Sequence, residues 1–566
     1  QARFTPREPG KYLCVPVLIK NRMKPLRFDA IGFEAFPSKS RGFVRVSEKN
    51  RSFFSFDDGS IFFPIGQNLA FIGSGQYANL ARAEEIFQNL MANGANYLRI
   101  WACCDDWAMA IESPKSAFGR SWGPKPNLVP QPDNQNKLCL EFAPGEESTI
   151  SVSPSHPLAL RPETRYLISG RLRSENTVNV SIERNNSMQP VNLLTQQGWS
   201  KFQQEFTTKP NEWWLGNLRF KKKGAGKVWL ADISLMEVGS NVELLWEADV
   251  NRPRMGVYNQ VDSFMLDEVV SFAEKNGVYL QICLLTRNLY MHKLEDEKSP
   301  EYDDAIRYAK QFFRYAVARW GYSTSVASWE YWNEQDPNLP TDRFYSEFGE
   351  YLEQIDTYKH LRATSAWGPA LKDWRHSKLD VSDLHWYLRP VWGELWKNAV
   401  AAAYDRAIFL RKNATNKPAL LSEFGLADDK WGLSPYMKKD KELLHFHDAL
   451  WSSSLSGLSG TTMFWWWEQL DAMNCYNHYK PLSLFLSDVP FVSGLHTART
   501  DVSDSKVMVI GLQGRDCAYL FLSDIDAIWY KVVVDGIKPE EKTDVSISVK
   551  GLVPGEYRVQ WWDTYK

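Results

Sequence analysis

The stretch SVASWEYWNEQDPN, residues 325–338, runs from apolar and aromatic residues into an amide, a carboxylate and an acidic tail. VASWEYW has the make-up of a strand buried on both faces, and Asn333 and Glu334 are polar side chains presented where that strand stops. Strands buried on both faces belong to parallel sheets covered by helices, so the flanking sequence should alternate helix with strand.

It does so on both sides. FFPIGQNLAF (62–71) is followed by a helical pattern over 77–93, a helix-stopping Gly94 and ANYLRIW (95–101). Further on, a helix over 262–276 ends at Asn276-Gly277 and feeds VYLQICLL (278–285), and a helix over 302–319 feeds VASWEYWN (326–333). A helix over 341–358 feeds LRATSAW (361–367), and VSDLHWY (381–387) follows after a short helical piece. A helix over 397–412 then feeds PALLSEFG (418–425), and one over 440–456 feeds GTTMFWWWEQLD (460–471). Eight strands in such alternation predict a (β/α)8 TIM barrel. The competing open sheet would carry a Gly-rich turn after its first strand, and no GxGxxG stands there.

Between the second strand and the helix at 262 the pattern changes to short alternating runs such as RYLISGRLRS and TVNVSIER, separated by Gly, Pro and Asn turns. The expected organisation is an N-terminal β segment over 1–60, a barrel over 61–132 and 240–490, an inserted β-sandwich over 133–239 and a C-terminal β-sandwich over 491–566. The tail is read as all-β, including WYKVVVDG (529–536) and EYRVQWWD (556–563).

With 66 basic and 68 acidic residues among 566, the chain has a formal charge of -2 and no basic field for a nucleic acid to follow. No apolar run approaches the ~20 residues of a membrane span. The seven cysteines are scattered, with no CxxC and no zinc-like spacing, so neither metal nor cofactor is expected. Aromatic residues make up 14% of the chain, with 24 tryptophans, which suits a flat, weakly charged ligand as well as a large core.

Barrel enzymes keep their working residues at the carboxyl ends of strands. Asn333 and Glu334 end the fourth strand and Glu423 ends the seventh, 89 residues later. A ~250-residue barrel places equivalent positions three repeats apart about 94 residues from each other. Two glutamates facing across one mouth are the equipment for cleaving a glycosidic bond: one protonates the leaving oxygen while the other attacks the anomeric carbon or activates water. Arg99 on the second strand and His385 and Tyr387 on the sixth could hold a carboxylate ionised. Trp465, Trp466 and Trp467 on the eighth offer flat faces for sugar, and strict alternation would put Trp465 and Trp467 on one side. Glu330 shares strand parity with Glu334 and reads as an interior residue paired with Arg or Lys. Asp105 and Asp106 read as loop caps or subsite ligands, and Glu468 as a residue near the cleft.

The set LRIW (98–101), WNE (332–334), HWY (385–387), SEFG (422–425) and FWWWE (464–468) resembles the clan A glycoside hydrolases, family 5 most of all. The resemblance implies a retaining double displacement on a β-linked glycan, with Glu334 as acid/base, Glu423 as nucleophile and Asn333 on the sugar 2-OH. Arg99, His385 and Tyr387 match the supporting residues of that family, and the insertion resembles a carbohydrate-binding module. Two features depart from its pattern: Gln335 follows Asn333-Glu334 where many members have Pro, and the third strand ends LLTRN (284–288) without the His that family 5 often carries there. The implied substrate is a β-glucan, β-mannan or galactan, and the implied location is secreted or periplasmic. The competing expectation is a non-catalytic sugar-binding or scaffold protein.

Overall fold

The computed structural model describes residues 3–19, 24–105, 107–113, 116–117, 127–152, 158–185, 191–336, 338–414 and 416–566. Its centre is an α/β body. Parallel strands β1 (Gly66–Asn68), β2 (Tyr97–Trp101), β3 (Tyr279–Cys283), β4 (Val326–Glu330) and β5 (Leu361–Ala363) pair in sequence order, and β6 (Ser382–His385) pairs with β7 (Ala419–Glu423).

Hydrogen bonds outside these strands carry the succession further. The Asp380 and His385 amides donate to the Arg362 and Ala366 carbonyls, both at 2.8 Å, which links β5 to β6. Past β7, the Met463 and Trp465 amides donate to Leu421 and Phe424. The Asn68 amide donates to Phe464 at 3.0 Å, and the Thr461 amide donates to Pro64 at 2.9 Å. The path of pairing thus returns to β1. Asn68 fastens this seam, its side-chain amide donating to the carbonyls of Ser422 (2.8 Å) and Met463 (3.1 Å).

The helices between the strands are α1 (Leu80–Ala92), α2 (Gln260–Asn276), α3 (Pro300–Trp320), α4 (Asp342–Ile355), α5 (Ala399–Asn413) and α6 (Leu444–Leu455). Their ends follow local chemistry. The Asn79, Asn259 and Ser299 side chains cap the first turns of α1, α2 and α3, Pro300 begins α3, and Gly277 ends α2 in the left-handed region. α1 buries its apolar face, Ala83, Ile86, Phe87 and Leu90, whereas α6 is buried nearly all round. At the amino end of the strands the pairing runs 44–46, 54–56 and 61–62 lay Val44, Phe54, Phe56 and Phe62 against Tyr97, Leu361, Leu420 and Met463. These residues form a small apolar core of their own beneath the amino end of the strands.

In the inserted region the described strands, from Asn127–Gln131 to Val228–Glu237, form a five-stranded and a four-stranded antiparallel sheet and a short pairing of Leu158–Ala159 with Trp214–Leu215. Strand Arg165–Ser174 alternates inward and outward along its length; its inward Tyr166, Ile168 and Leu172 share one core with Val180, Ile182 and Phe220 of the other sheet.

The C-terminal region is less regular than its composition implies. Val507–Gln513, Ala518–Asp524 and Ile547–Val549 are strands. Tyr530–Val534 is instead a helical turn of π geometry, and residues 550–566 form no strand. The β-branched run KVVV favours a strand by propensity, but the fully buried Trp529 beside it packs on Trp396 at 5.3 Å, and tertiary packing decides. No helix among the described residues is long and apolar enough to cross a membrane.

Candidate active site

Arg99 organises the carboxyl end of the strands. Its guanidinium is fully buried and forks onto Glu330, Nε to Oε2 and Nη2 to Oε1, each at 2.7 Å. Nη1 reaches Glu423 Oε1 at 2.7 Å and Asn68 Oδ1 at 3.1 Å, and Nη2 reaches Asn333 Oδ1 at 2.8 Å. One cation on β2 therefore fixes an interior acid on β4, the carboxylate at the end of β7 and the amide just past β4. Because the Asn333 oxygen accepts from Arg99, its NH2 group is the donor end of the side chain.

Glu423 is held on both oxygens: the second accepts from the Tyr387 hydroxyl at 2.5 Å. Glu334 is held more loosely and reaches further out, with 32% of its side chain exposed against 5% for Glu423. Its backbone is left-handed (φ 52), its amide donates to Ser365 Oγ at 2.9 Å, and Arg287 Nε donates to its carbonyl at 2.9 Å. A non-glycine residue in that region costs of order 1 kcal/mol or more, and Ser365 and Arg287 hold it there from either side.

His385 stands between the two glutamates, Nδ1 lying 3.1 Å from Glu334 Oε1 and 3.3 Å from Glu423 Oε2, with Nε2 3.0 Å from Ser422 Oγ. One ligating atom from each of Glu334, His385 and Glu423 falls within 4.8 Å of the others. That spacing could serve a cation, but both Glu423 oxygens already accept hydrogen bonds and the Arg99 charge beside them opposes a second positive ion.

Burial lowers the pKa of His385, yet Glu423 and Glu334 outweigh it and the net direction is up. Burial pushes Glu334 up, and the hydrogen bond and charge of His385 overcome that push and hold it below the ordinary carboxylate range. For Glu423 burial is the largest influence and wins, against the pull of His385 and Arg99. Groups this close influence one another's protonation and titrate as a coupled set.

Trp465 and Trp467 take a different arrangement from strict alternation. The backbone turns left-handed at Trp466 (φ 57) and a helix starts at Trp467. Trp467 is 1% exposed, packed on Phe71 at 4.9 Å, and presents no face to a ligand. Trp465 is half-buried against Trp101, Phe71 and Trp467. Trp466, between them, meets Tyr387 at 5.5 Å and lies over Gly425, where a Cβ would come within 3.0 Å of its ring. Glu468 is half-buried in the first turn of that helix, Asp105 pairs with Arg254, and Asp106 lies outside the described residues.

Two further tryptophans lack any signature in the sequence. Trp431 is 57% exposed, rests on the Arg389 guanidinium at 3.5 Å and meets Tyr387, the partner of Glu423, at 6.2 Å. Trp367 is 49% exposed and donates to Asp336, which pairs with Arg287, the residue on the Glu334 carbonyl. Each glutamate thus has an exposed indole within a short chain of contacts. Asn68, Ser365, Ser422 and Arg287 also escape sequence reasoning; of these only Arg287 carried a signal, as the unexpected residue in LLTRN.

No protein-family model matches the chain. No curated protein matches it either. Among solved structures it is similar to a glycoside hydrolase family 5 protein from Bacteroides vulgatus ATCC 8482, at 11% identity and a TM-score of 0.41, covering 85% of this chain and 80% of that one. It is similar to an endo-1,4-beta-mannanase from Rhizomucor miehei at 12% identity and a TM-score of 0.35, covering 75% of this chain and 90% of that one. A family 16 carbohydrate-binding module matches at 16% identity and a TM-score of 0.15, covering 20% of this chain and 88% of the module.

Proposed function

We propose that the chain is a retaining β-glycoside hydrolase on a (β/α)8 barrel, acting outside the cytoplasm on a β-glucan, β-mannan or galactan. The observation that carries this reading is the pair Glu334 and Glu423, with oxygens within 4.8 Å at the carboxyl end of parallel strands. Retaining enzymes set their carboxyl groups about 5–5.5 Å apart, whereas inverting ones leave about 6.5–9.5 Å for a water.

The roles follow from how each is held. Glu423, with Arg99 on one oxygen and Tyr387 on the other, is the oriented nucleophile. It attacks the anomeric carbon as the bond to the leaving oxygen breaks, and positive charge developing on the sugar relieves the cost of its buried negative charge. Glu334, more exposed and bonded to His385, delivers the proton to the leaving oxygen and then takes one from the water that opens the glycosyl ester. His385, 3.1 Å from Glu334, is placed to exchange a proton with it between the two steps. Asn333 offers its NH2 to a sugar hydroxyl, and Trp466, Trp431 and Trp367 offer stacking faces along the cleft. The inserted two-sheet region is read as a carbohydrate-binding module.

The test is hydrolysis of a panel of aryl β-glycosides and the matching polysaccharides, with wild type beside Glu423→Ala. Turnover that falls by several orders of magnitude in the variant supports the reading and names the sugar. Equal turnover in both proteins, or glycan binding by wild type without turnover, overturns it in favour of the sugar-binding alternative.

A further inference from the structure

A cavity of about 340 Å³ opens near the amino end of β7, between the end of α5 and residues 457–459. Arg411, Lys412 and Lys417 line it with Ser52, Asn416 and Ser459, and no carboxylate is among its described lining residues. Lys412 is exposed at the rim, while Arg411 and Lys417 are half-buried.

The two half-buried cations are engaged by neutral acceptors. Arg411 Nη1 donates to the Ser456 carbonyl at 3.2 Å and to Thr497 Oγ1 at 3.4 Å, and Lys417 Nζ donates to the His376 carbonyl at 2.5 Å. Gly457 (φ +84) sits where a Cβ would fall 2.5 Å from Arg411 Nη1, so the chain makes room for the guanidinium. Burial lowers the pKa of both groups, that of Lys417 to about 8. Asp380 opposes this at Lys417 but is engaged by Arg362 at 2.8 Å, and Arg362 and Arg51 add to the lowering.

Carbonyls at the ends of α5 and α6 attract cations, but they carry only fractional negative charge. They account for single basic residues there and leave unexplained a cavity flanked by three without an opposing acid. Desolvated charge without a counter-charge is costly, and an anion seated among these groups removes that cost while filling hydrogen-bond sites from Ser52, Asn416 and Ser459.

We propose that this cavity binds a phosphate or sulfate group, free or carried on a saccharide, at the end of the strands remote from Glu334 and Glu423. The inference stands independently of the glycosidase reading.

Thermal unfolding of the full chain in sodium phosphate, against sodium chloride at matched ionic strength, tests it. Wild type should melt higher in phosphate with a saturating dose response, and Lys417→Met should need at least about tenfold more phosphate for the same rise. Lys412→Ala, at the exposed rim where folding is not at stake, should weaken the response in the same direction. Equal melting of wild type in the two salts, or one phosphate response shared by all three proteins, overturns the proposal. Inorganic sulfate beside a sulfated oligosaccharide at equal sulfate concentration then separates the sources: stronger protection by the sugar assigns the site to a saccharide-borne group, and equal protection assigns it to the free anion.

Discussion

The two ends of β7 treat charge in opposite ways. Past its carboxyl end, Arg99 answers Glu330 and Glu423 and His385 answers Glu334, so these acids each meet a basic group within 3.3 Å. Near its amino end, Arg411 and Lys417 meet carbonyl and hydroxyl oxygens, with no acid in the cavity they line. A closed set of charges fixes geometry, which bond-making chemistry requires. An open set stores unspent attraction for whatever anion arrives. Glu334 sits between these extremes, charged and oriented but partly open to solvent.

The largest effect that would sharpen this contrast is at Glu334. Glu334→Gln keeps the shape and removes the proton donor, so an aryl glycoside with a poor leaving group should slow by roughly 10²–10⁴-fold. One with an acidic, self-departing phenol should slow far less in the glycosylation step. Equal slowing of that step for both, measured by stopped-flow release of the phenol, would break the assignment of Glu334 as the acid.

Arg99→Lys attacks the compensated end directly. A lysine cannot fork onto Glu330 and still reach Glu423, so one buried carboxylate loses its partner, at a cost of about 3–5 kcal/mol. Denaturant unfolding should show that loss, and kcat/KM should fall alongside it. A variant as stable as wild type would show that the Arg99 network contributes little net stability.

A third position separates burial from pairing. Glu112 is almost fully buried, and among the described residues it accepts from the Gly256 amide and the Tyr290 hydroxyl, with no cation. Burial pushes its pKa from 4.5 up to about 7. The folded state holds this proton more tightly than the unfolded one, so stability is unaffected below about pH 4.5 and declines as pH rises toward 7. Glu112→Gln should therefore match wild type near pH 4 and exceed it by about 3 kcal/mol at pH 8. The difference between the two denaturation midpoints as a function of pH is the measurement; a flat difference would show that Glu112 is not protonated by burial.

Much of the central body was legible because period and punctuation agree. Buried strands read as apolar runs, α2 ends at a glycine as expected, and polar residues closing VASWEYW and PALLSE mark the strand ends that carry Asn333, Glu334 and Glu423. Arg99, Glu330 and Glu423 could be singled out because a charge inside an apolar run needs a partner. What stayed hidden depends on backbone direction and on distant packing. Trp466, not the pair Trp465 and Trp467 that alternation would put on one side, meets Tyr387, because one left-handed residue breaks the alternation. Ser365 and Ser422 look like any serine until folding brings Glu334 and His385 to them. Tyr530–Val534 coils against its strand propensity because Trp529 is drawn into the core.

The seam at Asn68 also bears on how the chain is made. Its side-chain amide binds Ser422 and Met463, hundreds of residues later, so during synthesis β1 leaves the ribosome long before any partner for its outer edge exists. An unpaired parallel edge is a template for wrong associations, and a contact this distant in sequence forms late. The nascent protein must carry that open edge until residues 461–465 emerge, which makes the last segment a lock on what has already been built and truncation before it a route to aggregation.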